Sequence, residues 1–148
     1  MSHTTEYRVA WGDTDAGGLI YYPRFFHFVI VGLNDYLAPA TDGVHPMEHY
    51  RQCGYALPAV EASATFHAPL RAGDRIAIET TVTECGDASL VVSFSVSKRR
   101  DTEPDSDDGE CTADGTVSFV PIDDDFEPAS LPEAVHNCVA ERGDSLTE

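Results

Sequence analysis

Two aspartates, Asp13 and Asp15, stand two residues apart in the stretch WGDTDAGGLIYYP, Trp11 to Pro23, and Gly17 and Gly18 follow at once. A carboxylate held against a reacting carbon or a water can act as nucleophile or general base. The apolar run after Pro23 reads as a helix, and a helix start offers backbone N–H groups without internal acceptors at the positive end of a dipole. The two glycines let the chain reverse and let a ligand approach the backbone closely. The same residues also suit plainer roles. Asp-Ala-Gly-Gly makes an ordinary turn, and an aspartate before a helix is a common cap. The residues alone leave both readings open. A calcium loop counted from Asp13 fails, because position twelve is Arg24 where a bidentate glutamate is needed. Asp13 itself is expected to shape the turn rather than react.

Other chemical candidates are weaker. HPMEHY places His45, Glu48 and His49 within one turn of a possible helix, but without the H-E-x-x-H order of a zinc protease. SVSK, Ser95 to Lys98, fits S-x-x-K but lies in an alternating strand and lacks its companion motifs. No G-x-S-x-G, Walker loop or dinucleotide fingerprint occurs. Neither a cofactor nor a metal is expected. His27 lies on the helix and either faces a site or, on the plainer reading, is a partly buried structural histidine. Cys53, Cys85, Cys111 and Cys138 lie far apart, with no C-x-x-C, and read as free thiols of a reducing compartment.

The elements that must position these residues follow from periodicity. TEYRVAWGD alternates as a strand. From Pro23 to the stop before Pro39, Phe25, Phe26, Phe28, Val29, Ile30, Val31, Leu33, Tyr36 and Leu37 cover most of a helical wheel, which marks a buried helix. Further strands are expected in PAVEASATFH, with Val60, Ala62, Ala64 and Phe66 inward, in DRIAIETTVTEC, in SLVVSFSVSK and in CTADGTVSFVP. The acidic stretch RRDTEPDSDDGE is expected to be a hairpin loop. Strand, one long buried helix and then about four antiparallel strands is an α+β order in which a curved sheet of about five strands wraps one central helix. One domain is expected over residues 1–125, and an acidic C-terminal tail over 126–148, with a short helix near Leu131 to Val139.

Composition narrows the setting. The 148 residues carry 26 acids against 9 basic residues, Lys98 being the sole lysine, for a net charge of −17. Such a charge repels itself in dilute buffer, whereas at molar salt the Debye length falls to roughly 3 Å. The composition resembles that of halophile proteins; an acidic surface for a basic partner protein, or a soluble mesophilic protein, are the alternatives. Nucleic acid is not an expected partner, since phosphate binding needs clustered cations. No apolar run is long enough to span a bilayer, and the first residues lack a signal-peptide pattern, so a cytoplasmic protein is expected with no membrane partner.

Three blocks, WGDTDAGGLIYYPRFF, ATFHAPLRAGDRIAIET and SLVVSFSVSK, occur in the order found in the hotdog-fold acyl-CoA thioesterases of the 4-hydroxybenzoyl-CoA thioesterase family, and the chain resembles that family from about Tyr7 to Pro121. The resemblance implies a hotdog fold and hydrolysis of an acyl-CoA thioester to CoA and a carboxylic acid, without a cofactor. It implies Asp15 as nucleophile or general base and the Tyr22 backbone N–H as donor to the carbonyl oxygen. Gly17, Gly18, Tyr21 and Pro23 are the substrate-binding residues expected with it, together with Ile30 at the matching place on the helix and Arg71 as a candidate for the CoA phosphates. It also implies a homodimer or homotetramer with sites at the interface. The long helix of the hydroxybenzoyl enzymes carries an acid where Ile30 stands here, which implies a more apolar acyl group. Their phosphate-binding arginines follow the third strand, where this chain has CGDA; Arg71, Arg75, Arg99 and Arg100 are the alternatives. Two other functions fit the same fold: a non-catalytic acyl-CoA or lipid carrier, and a hydratase or dehydratase, which wants a paired histidine and acid not found here.

Overall fold

Period-two alternation becomes strand over most of its length, but TEYRVAWGD is strand only as far as Arg8, and its Trp11–Asp13 end forms a 3-10 turn with Trp11 exposed. The computed structural model describes residues 2–41, 44–100 and 109–144. Its strands are β1 (His3–Arg8), β2 (Ala59–Phe66), β3 (Arg75–Cys85), β4 (Leu90–Lys98) and β5 (Glu110–Phe119), and its helices are α1 (Arg24–Tyr36), α2 (Pro46–Cys53) and α3 (Glu133–Glu141). The strands form one antiparallel sheet in the order β1-β3-β4-β5-β2. The expected hairpin loop lies largely in 101–108, outside the described residues.

Ile76, Ile78 and Val82 of β3, Leu90, Val92, Phe94 and Val96 of β4, and Ala113, Val117 and Phe119 of β5 make one continuous apolar face. Helix α1 buries Phe25, Phe28, Val29, Leu33 and Tyr36 against it. Burying an apolar side chain of this size contributes roughly 1.5–3 kcal/mol, so this face is the main source of stability. Gly32 is the point of closest approach. A Cβ there would stand 2.9 Å from Ile78 Cγ2 and overlap Thr80 Oγ1.

The apolar wheel of α1 is not covered all round. Ile30 and His27 are exposed, and Val31 is half-buried. Strand β2 also departs from its reading. Its apolar residues share the inner face of the sheet through the pairs Ala62↔Val117 and Phe66↔Ala113, yet Val60 is 63% and Phe66 43% exposed. The reason is position. β2 closes one edge of the sheet, and α1 lies over the opposite side, against β1 and β3.

The C-terminal helix belongs to the same core. Leu131, Val135, Cys138 and Val139 are buried in it. Beyond α3, Arg142 donates to the Tyr36 carbonyl and lies 4.6 Å from the Tyr36 ring centroid. Asp144 Oδ2 accepts from Tyr36 Oη at 2.7 Å and from the Val82 amide at 3.1 Å. The C-terminal end of α1 is thereby tied to β3.

Candidate active site

The loop from Trp11 to Pro23 is built on one buried carboxylate. Asp13 is 1% exposed and ends a 3-10 turn, Trp11–Asp13. Its Oδ2 accepts from the Ala10 amide at 2.8 Å and from Tyr7 Oη at 2.9 Å. Its Oδ1 accepts from Arg24 Nε at 2.8 Å and Nη2 at 2.5 Å. Burial alone raises the carboxyl pKa, but the Ala10, Arg24 and Tyr7 bonds outweigh it and hold Asp13 below its ordinary value. The same bond, with burial first, pushes Tyr7 up. Asp13 therefore joins β1, the loop and the first residue of α1.

Two residues on, Asp15 is exposed. Its Oδ1 accepts from the Gly17 amide at 2.8 Å, and its carbonyl accepts from Gly18 at 3.0 Å, closing a tight turn. Gly18 has φ +80°, a left-handed conformation that favours glycine. A Cβ on Gly17 would stand 3.1 Å from Asp15 Oδ1. The glycine pair thus sets the Asp15 side chain as well as the backbone.

The turn into α1 leaves one amide over. The Ile20 amide donates to the Leu70 carbonyl and that of Tyr21 to the Asp13 carbonyl. The amides of Arg24, Phe25 and Phe26 donate to the carbonyls of Tyr21, Tyr22 and Pro23. Proline has no N–H. Among the described residues, the Tyr22 amide is the one from Ile20 to Phe26 that donates to no protein acceptor. It lies at the N-terminal end of α1, where developing negative charge is favoured.

Beside it, Leu19, Ile20, Tyr22, Phe25, Phe66, His67, Ala68 and Pro69 line an apolar cleft of about 390 Å³. The rings of Phe25 and Phe66 stand 4.7 Å apart, and Tyr22 meets Phe66 edge-on at 6.3 Å. The structure thus places Tyr22 in the cleft wall and Asp15 on the loop leading into it. Gly17, Gly18, Tyr21, Pro23, Ile30 and Arg71 do not line the cleft. Ile30 is on the outer face of α1. Arg71 is on the exposed turn before β3, its amide bonded to Asp74 Oδ2. Among the other arginines, Arg99 is paired with Glu6 and Arg24 with Asp13. Leu19, Phe25 and Phe66 are cleft residues that sequence reasoning passed over. Phe25 reads as core and Phe66 as an inward strand residue, and only the sheet edge brings them together.

A model of the thioesterase-like superfamily matches residues 9–139. A 1,4-dihydroxy-2-naphthoyl-CoA hydrolase of Crocosphaera subtropica is 28% identical over 88 residues, which is 60% of this chain and 63% of that protein. The match thus spans less than two thirds of that relative's length. The crystal structure of a 1,4-dihydroxy-2-naphthoyl-CoA thioesterase from Synechocystis has a TM-score of 0.80 at 22% identity, covering 98% of this chain and 100% of that one. A gentisyl-coenzyme A thioesterase structure has a TM-score of 0.75 at 25% identity, covering 93% of this chain and 99% of that one.

Proposed function

The chain belongs to the thioesterase-like superfamily, and from that premise we propose that it is an acyl-CoA thioesterase that hydrolyses its substrate to CoA and a carboxylic acid. The unpaired Tyr22 amide at the start of α1, set in the wall of an apolar cleft, is the observation that carries this reading. The cleft takes the acyl group. The Tyr22 N–H donates to the thioester oxygen and stabilises the negative charge that develops there, a donor typically worth roughly 10²–10³ in rate. Asp15 completes the chemistry from the neighbouring turn. As nucleophile, its carboxylate forms an anhydride with the acyl carbon and expels the CoA thiolate, and water then cleaves the anhydride. As general base, it takes a proton from the water that attacks the same carbon. Both routes consume one water and release acid and thiol.

The aromatic walls of the cleft, Phe25, Phe66 and Tyr22, favour a flat aryl or an aliphatic acyl chain. The relatives named above act on aryl-CoA thioesters by their names. The reading includes a homodimer or homotetramer. The open edge and exposed apolar face of β2 suit a second copy, which would also close the cleft against Phe66.

The test is thioester cleavage across a panel of acyl-CoAs, by wild type and Asp15→Asn. Turnover should fall by at least about 10² in the variant, with CoA-thioester binding and melting temperature retained. Binding without turnover in the wild type would make the protein a carrier, and near-normal turnover in a folded Asp15→Asn variant would remove Asp15 from the reaction.

A further inference from the structure

Three residues at the end of β2 and on β5 have no catalytic part in this chemistry, although His67 lines the cleft. His67 Nε2 lies 3.2 Å from Asp114 Oδ2, and the donor atoms of His67, Cys111 and Asp114 all lie within 4.8 Å of one another. A regular strand cannot place Cys111 and Asp114 together. Residues three apart point to opposite faces of a sheet. Here the register of β5 on β4 breaks: Val96 pairs with Ala113, but Ser97 pairs with Cys111, and Thr112 is passed over. This bulge turns Cys111 to the face that carries Asp114, the known use of bulges in re-aiming side chains. The Thr112 hydroxyl, buried, donates to the Val96 carbonyl and fixes the distortion. The Thr112 carbonyl accepts from the amides of His67 at 2.8 Å and Ala68 at 3.3 Å, so the bulge also positions the histidine.

We propose that His67, Cys111 and Asp114 bind a divalent cation of the zinc class and that this ion clamps the end of β2 to β5. Imidazole, thiolate and carboxylate together form a mixed donor set suited to a borderline-soft ion. Metal–donor bonds of about 2.0–2.3 Å put two donors on a tetrahedral ion roughly 3.5 Å apart. The histidine and the aspartate already have that spacing, and rotation of the Cys111 side chain closes the rest. One thiolate and one carboxylate neutralise a doubly charged ion, and the open fourth position takes water. Glu79 and Asp114 line a polar depression on the same sheet face, which adds negative potential there. Because His67 also lines the apolar cleft, the ion would hold one wall of that cleft in place. The proposal is independent of the hydrolytic reading, since it concerns metal affinity and not turnover.

The full-length chain is titrated with Co²⁺ and with Zn²⁺, following absorbance and melting temperature. Wild type should take up one ion per chain, show thiolate-to-cobalt charge-transfer absorption, and melt higher with Zn²⁺. Cys111→Ser should lose the absorption, and both Cys111→Ser and Asp114→Asn should bind Zn²⁺ more weakly by more than the roughly 10–100-fold that loss of an outer-shell partner costs. Cys53→Ser, which alters the thiol beside His49 on α2, should behave as wild type. Absence of saturable binding, absorption that survives Cys111→Ser, or its loss in Cys53→Ser would overturn the proposal.

Discussion

Replacing Asp13 by asparagine tests whether the buried carboxylate is the anchor of the site loop. The carboxylate accepts four hydrogen bonds, two on each oxygen. An amide has only one oxygen, so the substituted side chain can satisfy only one side. Its oxygen should turn to the Ala10 amide and Tyr7 hydroxyl, because Arg24, with a side chain 37% exposed, can take its bonds from water. The NH₂ then faces the guanidinium and the ion pair is lost. A bond to a charged group contributes about 1.5–3 kcal/mol, and the exposure of Arg24 discounts it toward the low end, leaving about 1–2 kcal/mol. In a chain of this size each kcal/mol moves Tm by roughly 2–4 °C, so a drop of about 2–8 °C is expected. The sign with pH follows from linkage. The hydrogen bonds hold the folded pKa of Asp13 below the ordinary 3.8. Its stabilisation is therefore complete above that value and is lost as pH falls through the lower folded pKa. Asp35 and Asp144 are also held low, but both proteins contain them, so the difference between wild type and variant isolates Asp13. Urea melts of the two at pH 7 and at steps below pH 4 should show a gap that narrows with acid. A gap that persists unchanged, or a variant as stable as wild type at pH 7, would refute the anchor. Turnover by Asp13→Asn should fall far less than by Asp15→Asn.

Two further outcomes concern packing and charge. Gly32→Ala should cost about 1–3 kcal/mol through overpacking against Ile78 and Thr80, measured by denaturant melts, and Thr80→Ala in the same chain should recover part of it. An unchanged midpoint in Gly32→Ala would show that α1 can lift from the sheet freely. Tm should rise steadily from dilute buffer to molar KCl, because a net charge of −17 on 148 residues is screened there; a flat or falling response would show that self-repulsion does not limit stability.

Much of the frame was legible because it is periodic. The alternation in RIAIETTV and LVVSFSV, and the apolar run from Phe25 to Leu37, each encode an element through local spacing. The same logic overreached where a neighbour is missing. Ala62, Ala64 and Phe66 alternate as a buried strand should, but β2 has β5 on one side and an open edge on the other. Ile30 sits in an apolar wheel yet remains on the outer side of α1. The grip on Asp13 was not legible either. Its partners Tyr7 and Arg24 lie six and eleven residues away, spacings with no period, and only the folded loop converges them. His67, Cys111 and Asp114 are harder still. Two of them read as opposite faces of one strand until the bulge at Thr112 reverses that assignment.

The proposed reading gives the two aspartates of the motif opposite requirements. A carboxylate that reacts must keep an oxygen free and face the substrate, so its own contacts cannot hold the loop. Asp15 keeps an oxygen free: it is exposed, its Oδ1 accepts from Gly17, and its backbone bonds reach Gly18 and Leu19 of the same turn. A carboxylate that anchors must do the reverse. Asp13 gives both oxygens to donors from β1, from the loop and from α1, and its carbonyl takes the Tyr21 amide. That last bond removes one competitor for the position next to it. With the Tyr21 amide occupied and Pro23 without one, the Tyr22 N–H is left without a protein acceptor, as the proposed role in binding the thioester oxygen requires. Moving the Asp13 charge to position 12 would exchange a buried side chain for an exposed one, so where the first acid stands matters as well as how many acids there are.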